Sequence, residues 1–298
     1  MMELFIQQII NGLHIGSIYA LIALGYTMVY GIVKLINFAH GDVMMVGAYT
    51  AFVGITVLDL SIGMALLLAV IVCSVLGVTI EKIAYKPLRN APRMWALITA
   101  IGVSFFLQSL IMILFGAGTK PFPSFASSPI KIGNLQVSQI TIVSVAIAVI
   151  LMVFLELFIK KTRLGKAMRA SSEDSQAASL MGISVNRTIS LAFFIGSALA
   201  AIGGVLFVVA YPQVKPMMGV MPGLKAFIAA VLGGIGIIPG AMLGGFTLGF
   251  IESFTKGFVS SFWPPATLWA DAVLFSVLII VLLIKPTGIL GKNIREKV

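Results

Sequence analysis

The side chains that could carry chemistry in this chain are a few polar groups placed in or beside long apolar runs. One group opens the second apolar run. The other lies within the fourth, where Ser104 and Gln108 share a helical face at i, i+4. Such groups either cap or cross-link helices or line a polar path between them. The residues concerned are Asn37, His40, Gly41, Asp42, Thr99, Ser104 and Gln108.

Neither catalytic nor metal chemistry is indicated. His40 stands beside no cluster of histidine, cysteine and carboxylate side chains, which a metal site needs. The apolar runs hold no pairing of serine with histidine or lysine, and no paired aspartates, so an intramembrane enzyme is not predicted. The chain also lacks a G-x-x-x-x-G-K-[ST] pattern and is not expected to bind ATP through a P-loop. We therefore expect no cofactor in this chain.

A second kind of candidate is the polar stretch between two apolar runs, residues 160–187. Ser171-Ser-Glu-Asp174 has the form of a capping box, and Gly182 stands where a glycine would end the helix. The pattern predicts a helix of about ten residues, roughly 15 Å long. Its small apolar face would consist of Ala177, Leu180 and Met181. A solvated helix without a partner and a helix that docks on a soluble protein both fit this pattern.

The elements that position these groups are membrane helices. The chain has 298 residues, of which 59% are hydrophobic and only 10% are charged, and its mean hydropathy is +1.10. A soluble domain carries about 25% charged residues. The composition therefore predicts an all-α, polytopic membrane bundle of about eight segments, forming a single domain over residues 1–298. Spanning helices are expected near residues 5–30, 42–58, 62–81, 95–115, 139–159, 188–210 and 268–284.

The net charge of +10 is explained by topology better than by nucleic-acid binding. Fifteen basic residues fall on one side of the predicted spans, and the positive-inside rule makes that side cytoplasmic. They are Lys34, Lys82, Lys86, Arg89, Arg93, Lys160, Lys161, Arg163, Lys166, Arg169, Arg187, Lys285, Lys292, Arg295 and Lys297. The five on the other side are Lys120, Lys131, Lys215, Lys225 and Lys256.

The stretch 224–256 is apolar but broken by glycine and proline. A basic tail on the cytoplasmic side requires this stretch either to enter and return or to cross twice. Its halves, about 226–238 and 241–254, are short for a crossing, so we expect a re-entrant pair of half-helices meeting at Pro239-Gly240. The N-terminus then lies outside, ahead of a retained first span. The residues of the break are Gly233, Gly234, Gly236, Pro239 and Gly240.

Carboxylates at mid-depth are the usual mark of an ion-coupled carrier. Glu156, Glu252 and Asp271 are expected close to span ends. This pattern favours a membrane protein that receives its energy from outside the lipid. A secondary carrier or channel is the alternative, and it would transport without an ATPase.

Several stretches resemble, in order, the permeases of branched-chain amino acid ABC importers. They are Ile36–Tyr49, Lys86–Arg89 with Ala96–Ser104, Arg169–Ile183, Gly223–Gly245 and Lys285–Gly291. The resemblance covers nearly the whole chain and favours the shorter, LivH-like permease of the pair. Ala100 departs from the pattern, since threonine is expected before Ile-Gly.

The resemblance implies a transport subunit, not an enzyme, in the cytoplasmic (inner) membrane of a bacterium. Its implied partners are a second, homologous permease, two ATPases that bind ATP and Mg²⁺, and an extracytoplasmic binding protein, without nucleic acid. The seven polar-group residues named first are the candidates, from their own chemistry, for a translocation path or gate. Leucine, isoleucine and valine, other amino acids, amides and urea remain open as substrates. The implied ATPase-coupling residues are Arg169, Ser171, Glu173, Asp174, Ala177, Ala178, Leu180 and Gly182.

Overall fold

The computed structural model describes residues 1–89, 91–125, 130–132 and 135–291. Within them the chain is a helical bundle, as predicted. The helices are α1 Met2–Val33, α2 His40–Thr56, α3 Ile62–Ile80, α4 Arg93–Phe115, α5 Gln139–Lys161, α6 Arg163–Glu173, α7 Ser175–Leu180, α8 Val185–Ala210, α9 Val220–Gly233, α10 Ile238–Ser253 and α11 Ala266–Ile284. Four short strands form two antiparallel pairs in the loops: β1 Lys120–Pro121 with β4 Gln213–Val214, and β2 Ile130–Ile132 with β3 Leu135–Val137.

Six helices are long and apolar enough to cross a membrane, so the chain is a multi-pass membrane protein. They are α1, α3 with its continuation to Leu88, α4, α5, α8 and α11. The predicted second span corresponds to α2, which is shorter at 17 residues. Lys292, Arg295 and Lys297 of the predicted basic tail lie outside the described residues.

The two ends of the bundle differ in what they carry. Ile32 and Val33, at the end of α1, line the same cavity as Ser171 and Glu173 of α6. We call this the α7 end, because α6 and α7 lie there. The start of α1 lies at the opposite end, where Phe5 packs on Phe254 and Phe258 after α10.

The centre of the bundle is built on α1. In the most apolar 18-residue stretch of α1, 78% of the residues are buried, and in that of α8 67% are buried. In the corresponding stretch of α11 only 11% are buried. α1 packs on α8, α9 and α10, and α2 and α3 pack on the other side of α8. α4, α5 and α11 thus form a lightly covered apolar rim.

The contact between α1 and α10 is made backbone against backbone. A Cβ on Gly245 would lie 2.5 Å from the backbone of Ala20, and one on Gly249 would collide with the backbone of Gly16. The small residues Gly12, Gly16 and Ala20, spaced four apart along α1, therefore form a packing seam. Without side chains between them, two helices can approach closely enough for dispersion contacts to hold them in lipid.

The broken segment differs from its predicted form. The break is the turn 234–237, with Gly234 and Gly236 at positive φ of 110° and 91°, while Pro239 and Gly240 lie in the first turn of α10. α9 has 14 residues and is about 21 Å long, short of a hydrocarbon core of about 30 Å. α10 has 16 residues and continues into a π-helical turn, Phe254–Phe258, and a 3-10 turn, so it is long enough to cross.

The turn 234–237 lies at the α7 end. Gly236 packs on Gly31, near the end of α1. The segment after α11 lies over the same turn, with the N–H groups of Ile289 and Leu290 donating to the carbonyls of Leu232 and Gly233 at 2.8 and 3.0 Å. The two arms of the broken segment are therefore unequal in length.

Gly249→Val should destabilise the protein by at least about 1–3 kcal/mol, because the added side chain meets the backbone of α1, which cannot move aside locally. Gly102→Val is the matched control, since a Cβ at Gly102 in α4 meets nothing within 4 Å. Thermal unfolding in detergent measures both variants. Equal losses of stability in the two would contradict the packing seam.

Candidate functional site

Asp42, Ser104 and Gln108 form a hydrogen-bonded network that joins α2 to α4. The Ser104 hydroxyl donates to Asp42 Oδ2, and Gln108 Nε2 donates to Asp42 Oδ1 at 3.0 Å. Gln108 Nε2 also lies 3.0 Å from Ser104 Oγ, so the two residues share the predicted face of α4. Thr99, half-buried one turn before Ser104, takes no part in this network within the described residues.

Asn37 shapes the turn that leads into α2. Its Oδ1 accepts hydrogen bonds from the backbone N–H of Ala39 at 3.1 Å and from the Tyr85 hydroxyl at 2.9 Å. Residue 39 is the N-cap position of α2, and its side chain makes no capping bond. Asn37 therefore stabilises the turn before the helix, and neither it nor Asp42 is the helix cap that the sequence suggested.

The residues that open α2 lie within the bundle and not at its surface. The His40 ring packs 4.5 Å from that of Tyr26, and Gly25 leaves the space that the imidazole fills. A Cβ on Gly41 would collide with the carbonyl of Gly219 just before α9. Asn37, His40, Gly41 and Asp42 thus pack where α1, α2 and α9 meet, deeper than the sequence predicted.

Sequence reasoning missed a buried cluster of charges. Lys225 of α9 donates to Glu252 Oε1 of α10 at 2.9 Å, and its Nζ lies 2.8 Å from Asp271 Oδ1 of α11. Lys256 also donates to Glu252 Oε1, and the Tyr19 hydroxyl of α1 donates to Oε2 at 2.8 Å. The side chains of Lys225 and Glu252 are 8% and 4% exposed, so this cluster ties four elements together in the interior.

This cluster corrects two expectations. Glu252 lies in the last turn of α10, close to the end of the helix as expected, but it is buried and not in contact with water. Lys225 lies within α9 and is buried as well, so the apolar segments do carry a buried carboxylate with a buried lysine. The sequence feature that could have indicated this cluster is the presence of one lysine, Lys225, and one glutamate, Glu252, each isolated in one arm of an apolar hairpin. A charge there needs a partner, and the other arm is the nearest place to find one.

The predicted polar helix is present but shorter than expected. Ser171 belongs to α6 and is buried, and α7 begins at Ser175 with Asp174 as its N-cap. Asp174 Oδ1 accepts from the backbone N–H groups of Gln176 and Ala177, at 2.9 Å each. The helix has six residues instead of about ten, because Asp174 caps it where Ser171 was expected to do so.

α7 is covered on one side only. Ala178 is buried against the protein, while Leu180 and Met181 are 89% and 83% exposed and Ala177 is exposed beside them. Gly182, with a φ of 81°, ends the helix as predicted. Arg169, Glu173 and Asp174 are exposed nearby. Of the predicted coupling residues, Ser171 and Ala178 therefore hold the fold, and the others lie at the surface.

The start of α8, next to α7, is tied to the end of α3. Arg89 contacts Glu81 and Asn186, and the Ser190 hydroxyl donates to Glu81 Oε2 at 2.7 Å. Glu81 is buried and fully engaged by these groups. These contacts link the start of α8, which follows α7 in the chain, to the end of α3.

A family model described as branched-chain amino acid transport system / permease component matches residues 8–282. The chain belongs to this family. The resemblance seen in the sequence is confirmed.

Relatives of this permease-family chain are similar over nearly its full length. LivH, the permease protein of the high-affinity branched-chain amino acid transport system of Salmonella typhimurium, is 45% identical, covering 99% of this chain and 98% of the relative. BraD, the corresponding protein of Pseudomonas aeruginosa, gives the same values. The ribose import permease protein RbsC of Escherichia coli is 27% identical, covering 83% of this chain and 77% of RbsC.

One solved structure shares the fold of this permease-family chain. It is described as PsaBC from Streptococcus pneumoniae in complex with Fab. It superimposes with a TM-score of 0.51 at 13% identity, covering 93% of this chain and 91% of that one. At this identity the likeness concerns the fold alone.

Glu252→Gln should cost roughly 1–3 kcal/mol of stability, because it removes one of the two carboxylates that pair with the buried Lys225 and leaves only the half-exposed Asp271. Lys225→Met should cost a similar amount for the converse reason. The double variant should lose less than the sum, since it removes both buried charges. Thermal unfolding midpoints in detergent measure the three variants.

The control for this cycle is Glu156→Gln. Glu156 pairs with Lys160 on the surface of α5, where the two side chains are 27% and 64% exposed. The loss of stability in the Glu156→Gln variant should be below about 1 kcal/mol. If the double variant lost as much stability as the two single variants together, Lys225 and Glu252 would not stabilise each other as an ion pair.

Proposed function

We propose that the chain is the transmembrane permease of an ATP-driven importer of branched-chain amino acids. The family assignment, and the relatives named for this transport at 45% identity over nearly the full length, support the substrate class. The chain itself would be a transport subunit, and ATP and Mg²⁺ would bind on separate ATPase chains. A bacterial cytoplasmic membrane is the expected location.

The observation that carries the ATP-driven mechanism is the exposed face of α7. Leu180 and Met181 are large apolar side chains in a polar stretch, and both are almost fully exposed. Asp174 caps this short helix, and Ala178 packs it against the rest of the protein. Because one side of the helix is fixed to the protein and the other is exposed, a force applied to the exposed side would move the helix as a rigid body. We infer that this face seats in a cleft of an ATPase subunit.

Orientation follows from the same helix. The α7 end carries Arg163, Arg169 and Arg187 with the three lysines of the same segment, Lys160, Lys161 and Lys166, so the positive-inside rule supports a cytoplasmic position for it. The opposite end, with the start of α1, the β1–β4 pair and the segment 211–219, then faces the binding protein.

The proposed cycle is alternating access. Closure of the ATPase pair would move α7, and the Arg89, Glu81 and Ser190 contacts would carry that movement into α3 and α8. α8 packs on α1, α2 and α3, so these helices would move together against the second permease. The second permease is expected to cover part of the apolar rim.

The buried charges at Asp42 and around Glu252 also suit an ion-coupled carrier, which is the alternative function. Reconstitution into liposomes separates the two. With its partner permease, the ATPases and the binding protein, leucine uptake should require ATP, and the chain alone should show none. Uptake by the chain alone, driven by a proton or sodium gradient, would establish the carrier instead.

Ala177→Trp should uncouple the transporter, because the indole would occupy the exposed face that is proposed to seat on the ATPase. Leucine uptake per ATP hydrolysed should fall by about tenfold or more, the equivalent of roughly 1.4 kcal/mol of lost coupling. Leu157→Trp, on the exposed surface of α5, is the control. Normal uptake by the Ala177 variant at normal expression would contradict the docking role of α7.

A further inference from the structure

A cavity of about 330 Å³ lies between α1, α8, α9 and α10 and reaches the segment 211–219. Its rim residues Gln213, Lys215 and Met217 are exposed at the end opposite to α7, and its floor is buried. A second cavity of about 330 Å³ adjoins it and shares Ile15, Tyr211 and Lys256 with it. The volume suits a small molecule, since ligand pockets begin at about 300 Å³.

The charged groups lining the first cavity are Lys215, Lys225, Lys256 and Glu252. Asp271, outside the lining, pairs with Lys225, so the five groups together carry a net charge of +1. Both oxygens of Glu252 are already engaged, Oε1 by Lys225 and Lys256 and Oε2 by Tyr19. The side chain of Lys256 is 42% exposed and lies between the two cavities, with donor hydrogens to spare. The lining therefore favours a carboxylate.

The rest of the first cavity is apolar and adaptable. Its wall consists of Ile15, Ile18, Phe207, Met217, Met218 and Met221. Methionine side chains adjust to aliphatic groups of different shape. Met217 has a φ of 65°, a costly conformation for a residue other than glycine, and such outliers cluster at ligand sites.

The adjoining cavity supplies acceptors for a cation. Its polar lining residues are Gln8, Asn11, His14, Tyr211 and Ser253, together with Lys256. His14 Nδ1 lies 3.1 Å from Thr141 Oγ1, while its Nε2 is buried and has no hydrogen-bond partner within the described residues. A buried polar atom of this kind calls for a partner.

We propose that these two cavities form one site for a free aliphatic α-amino acid inside the permease. The carboxylate binds Lys256 and Lys225, the side chain packs on the methionine wall, and the ammonium group donates into the cavity beside His14. The direction of entry and the substrate class rest on the proposed function. The pairing of a carboxylate with the lysines rests on the geometry of the cavity alone.

Thiol protection tests this site without transport. Cys73 is buried and is the chain's one cysteine, so Met221→Cys introduces a distinguishable thiol in the cavity. The assembled transporter, in nanodiscs without binding protein, is labelled with a charged methanethiosulfonate, and this chain is read after gel separation. Leucine at about four times its dissociation constant should slow labelling about fivefold, because only the unoccupied fraction reacts.

Two ligands and three variants make the test specific. Leucinol, which has no carboxylate, should protect weakly or not at all, and so should glycine, which has no side chain for the methionine wall. Lys256→Gln should abolish protection by leucine, with the labelling rate in leucine compared with the rate of the same variant without leucine. Lys120→Gln changes a lysine at the same end of the bundle but outside the cavity, so this variant should retain protection by leucine. Gly118→Cys, in an exposed loop, should be labelled and not protected.

Several results would overturn the proposal. They are a Met221→Cys thiol that does not react, no protection at the solubility limit of leucine, protection by leucinol equal to that by leucine, or protection that survives Lys256→Gln. The readout uses no ATP and no binding protein. ATP-driven leucine uptake without protection would therefore reject this site and leave the proposed function standing.

Discussion

The bundle depends on the absence of side chains where α1 meets α10. In lipid no hydrophobic effect drives helices together, so their contact must be close enough for dispersion forces to act along its length. Gly16 and Ala20 of α1 face Gly249 and Gly245 of α10 with almost no space between backbones. This contact fixes the position of α10, and through α10 the positions of Glu252, of α9 and of Lys225. The charged cluster is thus placed by residues that carry no charge.

Glycine contacts also hold the polar groups apart from water. Gly25 gives room to the ring of His40, and Gly41 lets α9 start against α2. The helices enclose Asp42 closely enough that its carboxylate has to be satisfied by Ser104 and Gln108. Close backbone packing and full hydrogen bonding of buried polar groups are therefore two aspects of one arrangement.

Much of this could be read from the sequence, because spans, basic loops and small-residue stripes are local patterns. The shared face of Ser104 and Gln108 and the terminating role of Gly182 also follow from spacing along one helix. The Lys225–Glu252 pair could not be placed in this way, since it depends on how two arms of different length pack. The sequence also did not indicate that Asp174, and not Ser171, caps α7, because this depends on packing as well. Ser171 is buried against the bundle, and α6 continues through it.

The segment that follows α11 has a consequence for how the protein is made. Ile289 and Leu290 donate to the carbonyls of Leu232 and Gly233 at the turn between α9 and α10. A ribosome delivers that turn more than fifty residues before these donors emerge. During synthesis the hairpin must wait in the membrane with those carbonyls unmatched by residues 289 and 290, which is costly in lipid. Residues 289 and 290 therefore complete the hydrogen bonding of this turn late in synthesis, and a chain that stops before them leaves the two carbonyls without these donors.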